Sequence, residues 1–110
     1  MRVGFLNAFG LTQDKFDRLS QLIGPALDIL FVCETWHIPI RPSPLVHMHT
    51  PPSSHRVTGH QNGGLVVLVS HRFQPIISAS SCDSFHIRLQ FQSLCLVRVY
   101  APPSLPIGAF

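Results

Sequence analysis

Two short stretches of this chain, Asp28-Ile29-Leu30-Phe31-Val32-Cys33 and Leu65-Val66-Val67-Leu68-Val69-Ser70, consist almost entirely of large apolar and β-branched side chains. Runs of that length and composition are the mark of strands buried on both faces. Arg2 to Asn7 adds a third strand, with β-branched and aromatic residues and no breaker inside it. Between it and the first buried run, Thr12 is a good N-cap, and Phe16, Leu19, Leu22 and Ile23 recur at helical spacing until Gly24-Pro25 stops them. Asp14 adds a favourable charge near the helix start.

Strand, helix, strand is a βαβ unit, and such crossovers are right-handed and join parallel strands. The carboxyl ends of the first two strands then share one edge of the sheet, which brings Asn7 and Glu34 together. Open α/β sheets place their chemistry at that edge. The chain contains only five acids, Asp14, Asp17, Asp28, Glu34 and Asp83. A Glu there is a metal ligand or a solvated loop carboxylate.

The remainder reads as antiparallel structure. The segment 37–62 is rich in Pro and His, and Pro39, Pro42, Pro44, Pro51 and Pro52 argue for a long surface loop without regular structure. Asn62-Gly63-Gly64 is turn chemistry leading into Leu65–Ser70. Phe73–Ser80 is expected to pair antiparallel with that strand. Phe85, Ile87, Leu89 and Phe91 alternate with His86, Arg88 and Gln90, as in a half-buried strand. Leu94–Tyr100 follows a turn at Gln92-Ser93, and Ala101-Pro102-Pro103-Ser104 breaks it.

A length of 110 residues allows one core, and 45% hydrophobic residues with only 12% charged fit one half of a larger fold whose other half covers an exposed face. The net charge of +3 is spread along the chain, permitting a polyanionic partner without demanding one. No apolar run is long enough to span a membrane, and the amino terminus lacks the pattern of a signal peptide, so the expected location is intracellular, nucleus or cytoplasm. The odd number of cysteines, Cys33, Cys82 and Cys95, argues for buried thiols over a disulfide framework.

Four local patterns stand in order along the chain: Asn7-Ala8-Phe9-Gly10-Leu11, Cys33-Glu34-Thr35-Trp36, Gly63-Gly64-Leu65-Val66-Val67-Leu68-Val69 and Val97-Arg98-Val99-Tyr100-Ala101-Pro102-Pro103. Together they resemble the endonuclease/exonuclease/phosphatase superfamily, which includes apurinic endonucleases, retrotransposon endonuclease domains and lipid or inositol-phosphate phosphodiesterases. The resemblance covers nearly the whole chain but only the amino-terminal half of that family's domain. It implies half of a four-layer α/β/β/α sandwich, with residues 1–110 forming the amino-terminal portion of one domain. Glu34 takes the role of the Mg²⁺ (or Mn²⁺) ligand. Asn7 and Tyr100 take those of catalytic residues contacting the substrate phosphate. The implied substrate is nucleic acid, DNA before RNA, because the Asn-x-x-Gly-Leu and Glu-Thr-Trp forms look most like the retroelement type.

Each residue has a plainer alternative. Asn7 suits an Asx-turn leading to the helix, Tyr100 can pack on Pro102-Pro103, and Trp36 can serve as a cover for the sheet end. The histidines His47, His49, His55 and His60 crowd one loop without the rigid spacing that zinc requires. The family's later Gly-Asp-x-Asn segment and its Asp-His pair have no counterpart here, and Asp83 with His86 sits at a hairpin start. The expectation is therefore a truncated phosphodiesterase or endonuclease domain, inactive as it stands, because general base catalysis worth roughly 10²–10⁴-fold is missing. The alternatives are a non-catalytic interaction module and a lipid or inositol-phosphate phosphodiesterase of the same superfamily.

Overall fold

The computed structural model describes residues 1–36, 41–50, 53–54, 61–83 and 86–99. Its elements run β1 (Val3–Asn7), α1 (Gln13–Ser20), β2 (Ile29–Cys33), β3 (Val46–Thr50), β4 (Ser53–Ser54), β5 (Gln61–Asn62), β6 (Leu65–Val69), a 3₁₀ turn at Gln74–Ile76, β7 (Ala79–Cys82), β8 (His86–Gln90) and β9 (Cys95–Val99). A four-stranded sheet has the order β1-β2-β6-β3, with β1 and β2 parallel and the other pairs antiparallel. A second, antiparallel sheet has the order β7-β8-β9, and β4 pairs with β5 in a short ribbon.

Every residue of β2 and β6 is buried, as their unbroken apolar sequences require. Side-chain alternation divides them between two cores. Ile29, Phe31, Cys33, Leu65, Val67 and Val69 meet Ile87, Leu89 and Phe91 of the second sheet region. Leu30, Val32, Val66 and Leu68 face the other way, onto Phe16 of α1 together with Ala8, Leu11 and Ile23. The layers are thus helix, sheet, sheet, an α+β architecture. Each fully buried Val, Leu, Ile or Phe contributes about 1.5–3 kcal/mol, so this double-sided strand pair dominates the stability.

The helix begins as its sequence indicates, with Thr12 Oγ1 accepting from the Lys15 amide at 3.3 Å and Asp14 in the first turn. It stops at Ser20, before Ile23, where the amides of Leu22 and Ile23 shift to the carbonyls three residues back, Leu19 and Ser20, at 3.0 and 3.2 Å, and Ile23 then bridges to Leu27. At the opposite end from the strand termini, Asp28 is 3% exposed and locked to Arg2. The Arg2 amide donates to Oδ2 at 2.8 Å, and Nη2 pairs with Oδ1 at 3.2 Å. Hydrogen bonds from the Arg2 guanidinium and then from its backbone amide hold the Asp28 carboxyl below the usual carboxylate range.

Three expectations are corrected. The segment 37–62 is not without regular structure, since Val46-His47-Met48-His49-Thr50 carries no proline and forms β3 on the free edge of β6, with a bulge between Val46 and Met48. The prolines confine that strand without preventing it. Phe73–Ser80 is not the neighbour of β6, because Gln74-Pro75-Ile76 forms a 3₁₀ turn and only Ala79 onward is strand, pairing with β8 in the second sheet. The position beside β6 belongs to β3. The three cysteines are free thiols, but only Cys33 is buried, while Cys82 and Cys95 are exposed. Among the described residues no helix is long and apolar enough to cross a membrane.

Candidate metal corner at the sheet edge

The register places Asn7 opposite Cys33, Cys33 opposite Leu65, and Leu65 opposite Thr50, so one row of residues crosses the sheet edge. Beyond that row the backbone stays stitched together. The amides of Ala8, Gly10 and Leu11 donate to the carbonyls of Cys33, Glu34 and Thr35 at 2.9, 2.8 and 3.0 Å. On the other side, the Thr35 and Trp36 amides donate to Gly64 and Gly63 at 3.4 and 3.0 Å. Glu34-Thr35-Trp36 is therefore clamped from both flanks, with Thr35 fully buried between them.

This edge also concentrates unusual backbone. Phe9, Glu34 and Trp36 have φ of +48°, +56° and +64°, and Gly10, Gly63 and Gly64 have +92°, +72° and +88°. Among the described residues only Gly24 has a positive φ elsewhere. A non-glycine residue held there costs on the order of 1–3 kcal/mol, and such strain gathers at functional sites. Gly10 has a second constraint, since a Cβ there would lie 2.8 Å from Trp36 Cε3. Its missing side chain makes room for the indole.

Glu34, in its left-handed turn, is 9% exposed. Trp36 Nε1 donates to Glu34 Oε2, while Oε1 accepts no hydrogen bond from any described residue. One carboxylate oxygen is fixed and the other is open to a cation. Asn7 is exposed, and its Oδ1 accepts from the Phe9 amide at 3.1 Å, the Asx-turn geometry. That bond orients the side chain and leaves Nδ2 as a donor. Lys15 reinforces the same loop, its Nζ donating to the carbonyls of Ala8 and Gly10 at 2.9 and 3.0 Å. Asn7 and Glu34 are thus brought to one edge, as expected, whereas Tyr100 lies outside the described residues.

Sequence reasoning gave Trp36 a covering role and missed its hydrogen bond to Glu34. The signal available was the sole tryptophan two residues from the sole candidate ligand. Lys15 was also missed, because nothing in a helix pattern reveals which carbonyls a lysine will reach. His47 faces Ser80 Oγ at 3.2 Å, His55 and His60 lie outside the described residues, and no group of three or more His, Cys, Asp or Glu fit for a metal occurs among those described. His86 Nδ1 lies 2.7 Å from Asp83 Oδ2 beside the start of β8. His86 alternates with buried Ile87, so it faces away from the core between the sheets.

Comparison with known protein-family models and with curated proteins finds no match to this chain.

Proposed function

We propose that this chain is the amino-terminal portion of a Mg²⁺-dependent phosphodiesterase domain that acts on nucleic acid, with Glu34 as the metal ligand. The observation that carries the reading is the Glu34 carboxylate itself: buried, strained into the left-handed region, fixed through Oε2 by Trp36 and open at Oε1. Its place at the carboxyl end of β2, beside Asn7, is where a parallel strand pair gathers functional groups. Strain of this kind needs a reason, and a hard, preorganised oxygen ligand supplies one.

Mg²⁺ takes oxygen ligands, keeps several waters and is commonly bound by one or two protein carboxylates, so a single Glu fits its demands; bound there, it would polarise a phosphoryl oxygen. Glu34 holds the cation side of the site. Asn7 offers Nδ2 to a non-bridging phosphate oxygen, its orientation fixed by the bond from the Phe9 amide. Trp36 keeps the carboxylate from swinging and shields it from water on one side. Tyr100 is assigned a phosphate contact through the resemblance of its motif alone.

Among the described residues no general base joins them. Asp83–His86 points to the outer face, and the described residues hold no other His–carboxylate pair. A role as part of a larger domain is supported by large apolar side chains left at the surface of the edge strands β1 and β9, with Phe5 57%, Val97 51% and Val99 50% exposed. Nucleic acid is favoured over a lipid or inositol phosphate by the net charge of +3 and by the forms of the two motifs, and it makes an intracellular site of action the matching proposal.

The test is to follow a fluorescent abasic-site DNA duplex with the purified chain, with and without Mg²⁺. Mg²⁺-dependent binding that Glu34→Gln removes, without strand cleavage, is expected. Binding indifferent to both Mg²⁺ and Glu34 would contradict the reading, and cleavage abolished by Glu34→Gln would overturn the predicted inactivity while keeping the ligand.

A further inference from the structure

The geometry points to Arg98, on β9, as the residue that grips the phosphodiester beside the Glu34 corner. This extends the proposed function and rests on its choice of substrate, but it stands on a separate set of contacts. In the β8–β9 register Leu96 lies opposite Leu89 and Arg98 opposite Ile87. Leu89 and Ile87 are fully buried in the core between the sheets, and Leu96 packs against it, so Arg98 occupies the next inward-facing position of β9.

A guanidinium in a place suited to an aliphatic side chain must find partners or lose stability. Arg98 finds weak ones. Nη2 lies 3.8 Å from Cys33 Sγ, and the guanidinium carbon sits 5.4 Å from the centre of the Phe5 ring. Nε is buried with no hydrogen-bond partner, and no carboxylate lies within ion-pair distance among the described residues. Arg2 and Arg41, by contrast, each pair with an aspartate.

These contacts aim Arg98 at the site. Cys33 precedes Glu34 in the chain and is the cross-strand partner of Asn7, and Phe5 lies two residues before Asn7 on the same face of β1. A planar guanidinium held only by a sulfur at 3.8 Å and by a ring face keeps its two Nη groups as donors for two oxygens of a phosphate, which can accept both bonds at once. Asn7 Nδ2 then supplies a further donor from the neighbouring strand. An ammonium cannot reproduce this fork.

The experiment is an NMR titration of the full chain, in metal-free buffer, with inorganic phosphate and with the thymidine deoxydinucleotide, whose only phosphate is a diester. Arg98→Gln should weaken dinucleotide binding by roughly tenfold or more, with Arg98→Lys intermediate. Wild-type affinity in both variants, no dinucleotide binding by the wild type, or a loss confined to inorganic phosphate would each overturn the proposal. Should Arg98→Gln fail to fold, Arg98→Lys decides alone, because it keeps the charge and removes the fork. Dependence on Arg98 without any effect of Glu34→Gln on Mg²⁺ binding would retain this anion site and remove the metal corner.

Discussion

At the residue scale, Glu34 depends on two neighbours whose roles differ. Gly10 provides space: its φ of +92° and the 2.8 Å approach of a hypothetical Cβ to Trp36 leave no room for a methyl group. Gly10→Ala should therefore lower stability by about 1–3 kcal/mol in urea unfolding and shift the emission of Trp36 as the ring is displaced. A Gly10→Ala protein with unchanged midpoint and emission would show that the indole is not seated on Gly10. Trp36 provides a donor. Trp36→Phe keeps the aromatic cover and deletes the N–H, so divalent-metal affinity should fall about tenfold, the lower end for losing a group that orients a metal ligand, with little change in unfolding midpoint. Of these particulars the sequence revealed the carboxylate and its strand end. The positive φ values and the hydrogen bond were not legible, since they follow from how the 8–11 and 63–64 segments clamp residues 34–36 from either side.

At the element scale, unbroken apolar runs were the most legible feature, because a strand buried on both faces admits no other composition. The βαβ unit followed from them, with its parallel pairing and shared carboxyl edge. β3 was hidden because its prolines flank the strand, and counting them across the segment gave the wrong answer for the five residues between. Phe73–Ser80 misled for the opposite reason: its apolar residues suit a strand, but Pro75 commits the chain to a 3₁₀ turn first. The far ends of β1 and β2 are tied by Arg2–Asp28, which makes a pH-dependent contribution. Because the folded-state pKa of Asp28 lies below its ordinary value of 3.8, the stabilisation is present at neutral pH and is lost as pH falls through that value toward the folded-state pKa. Asp28→Asn should thus lower the urea midpoint at pH 7 and flatten its decline below about pH 4. An Asp28→Asn protein whose acid profile parallels the wild type would argue against this linkage.

At the scale of the whole molecule, the three layers place the candidate corner on one rim, where the ends of β1 and β2 meet the inner face of β9. β1 and β9, one edge strand of each sheet, carry exposed apolar residues, and the positive-φ residues Phe9, Glu34 and Trp36 gather at the rim. That combination suits a site completed by further structure. It also explains why the fold was easier to read than the activity: composition fixes which strands are buried, whereas chemistry depends on groups brought to the rim from distant parts of a domain. Calorimetric titration of the intact chain with Mn²⁺ reads out the proposed role of Glu34 as a divalent-metal ligand. Saturable binding at one site in the wild type, abolished in a folded Glu34→Gln protein, is the predicted result; no binding in the wild type, or equal binding in both proteins, would contradict it.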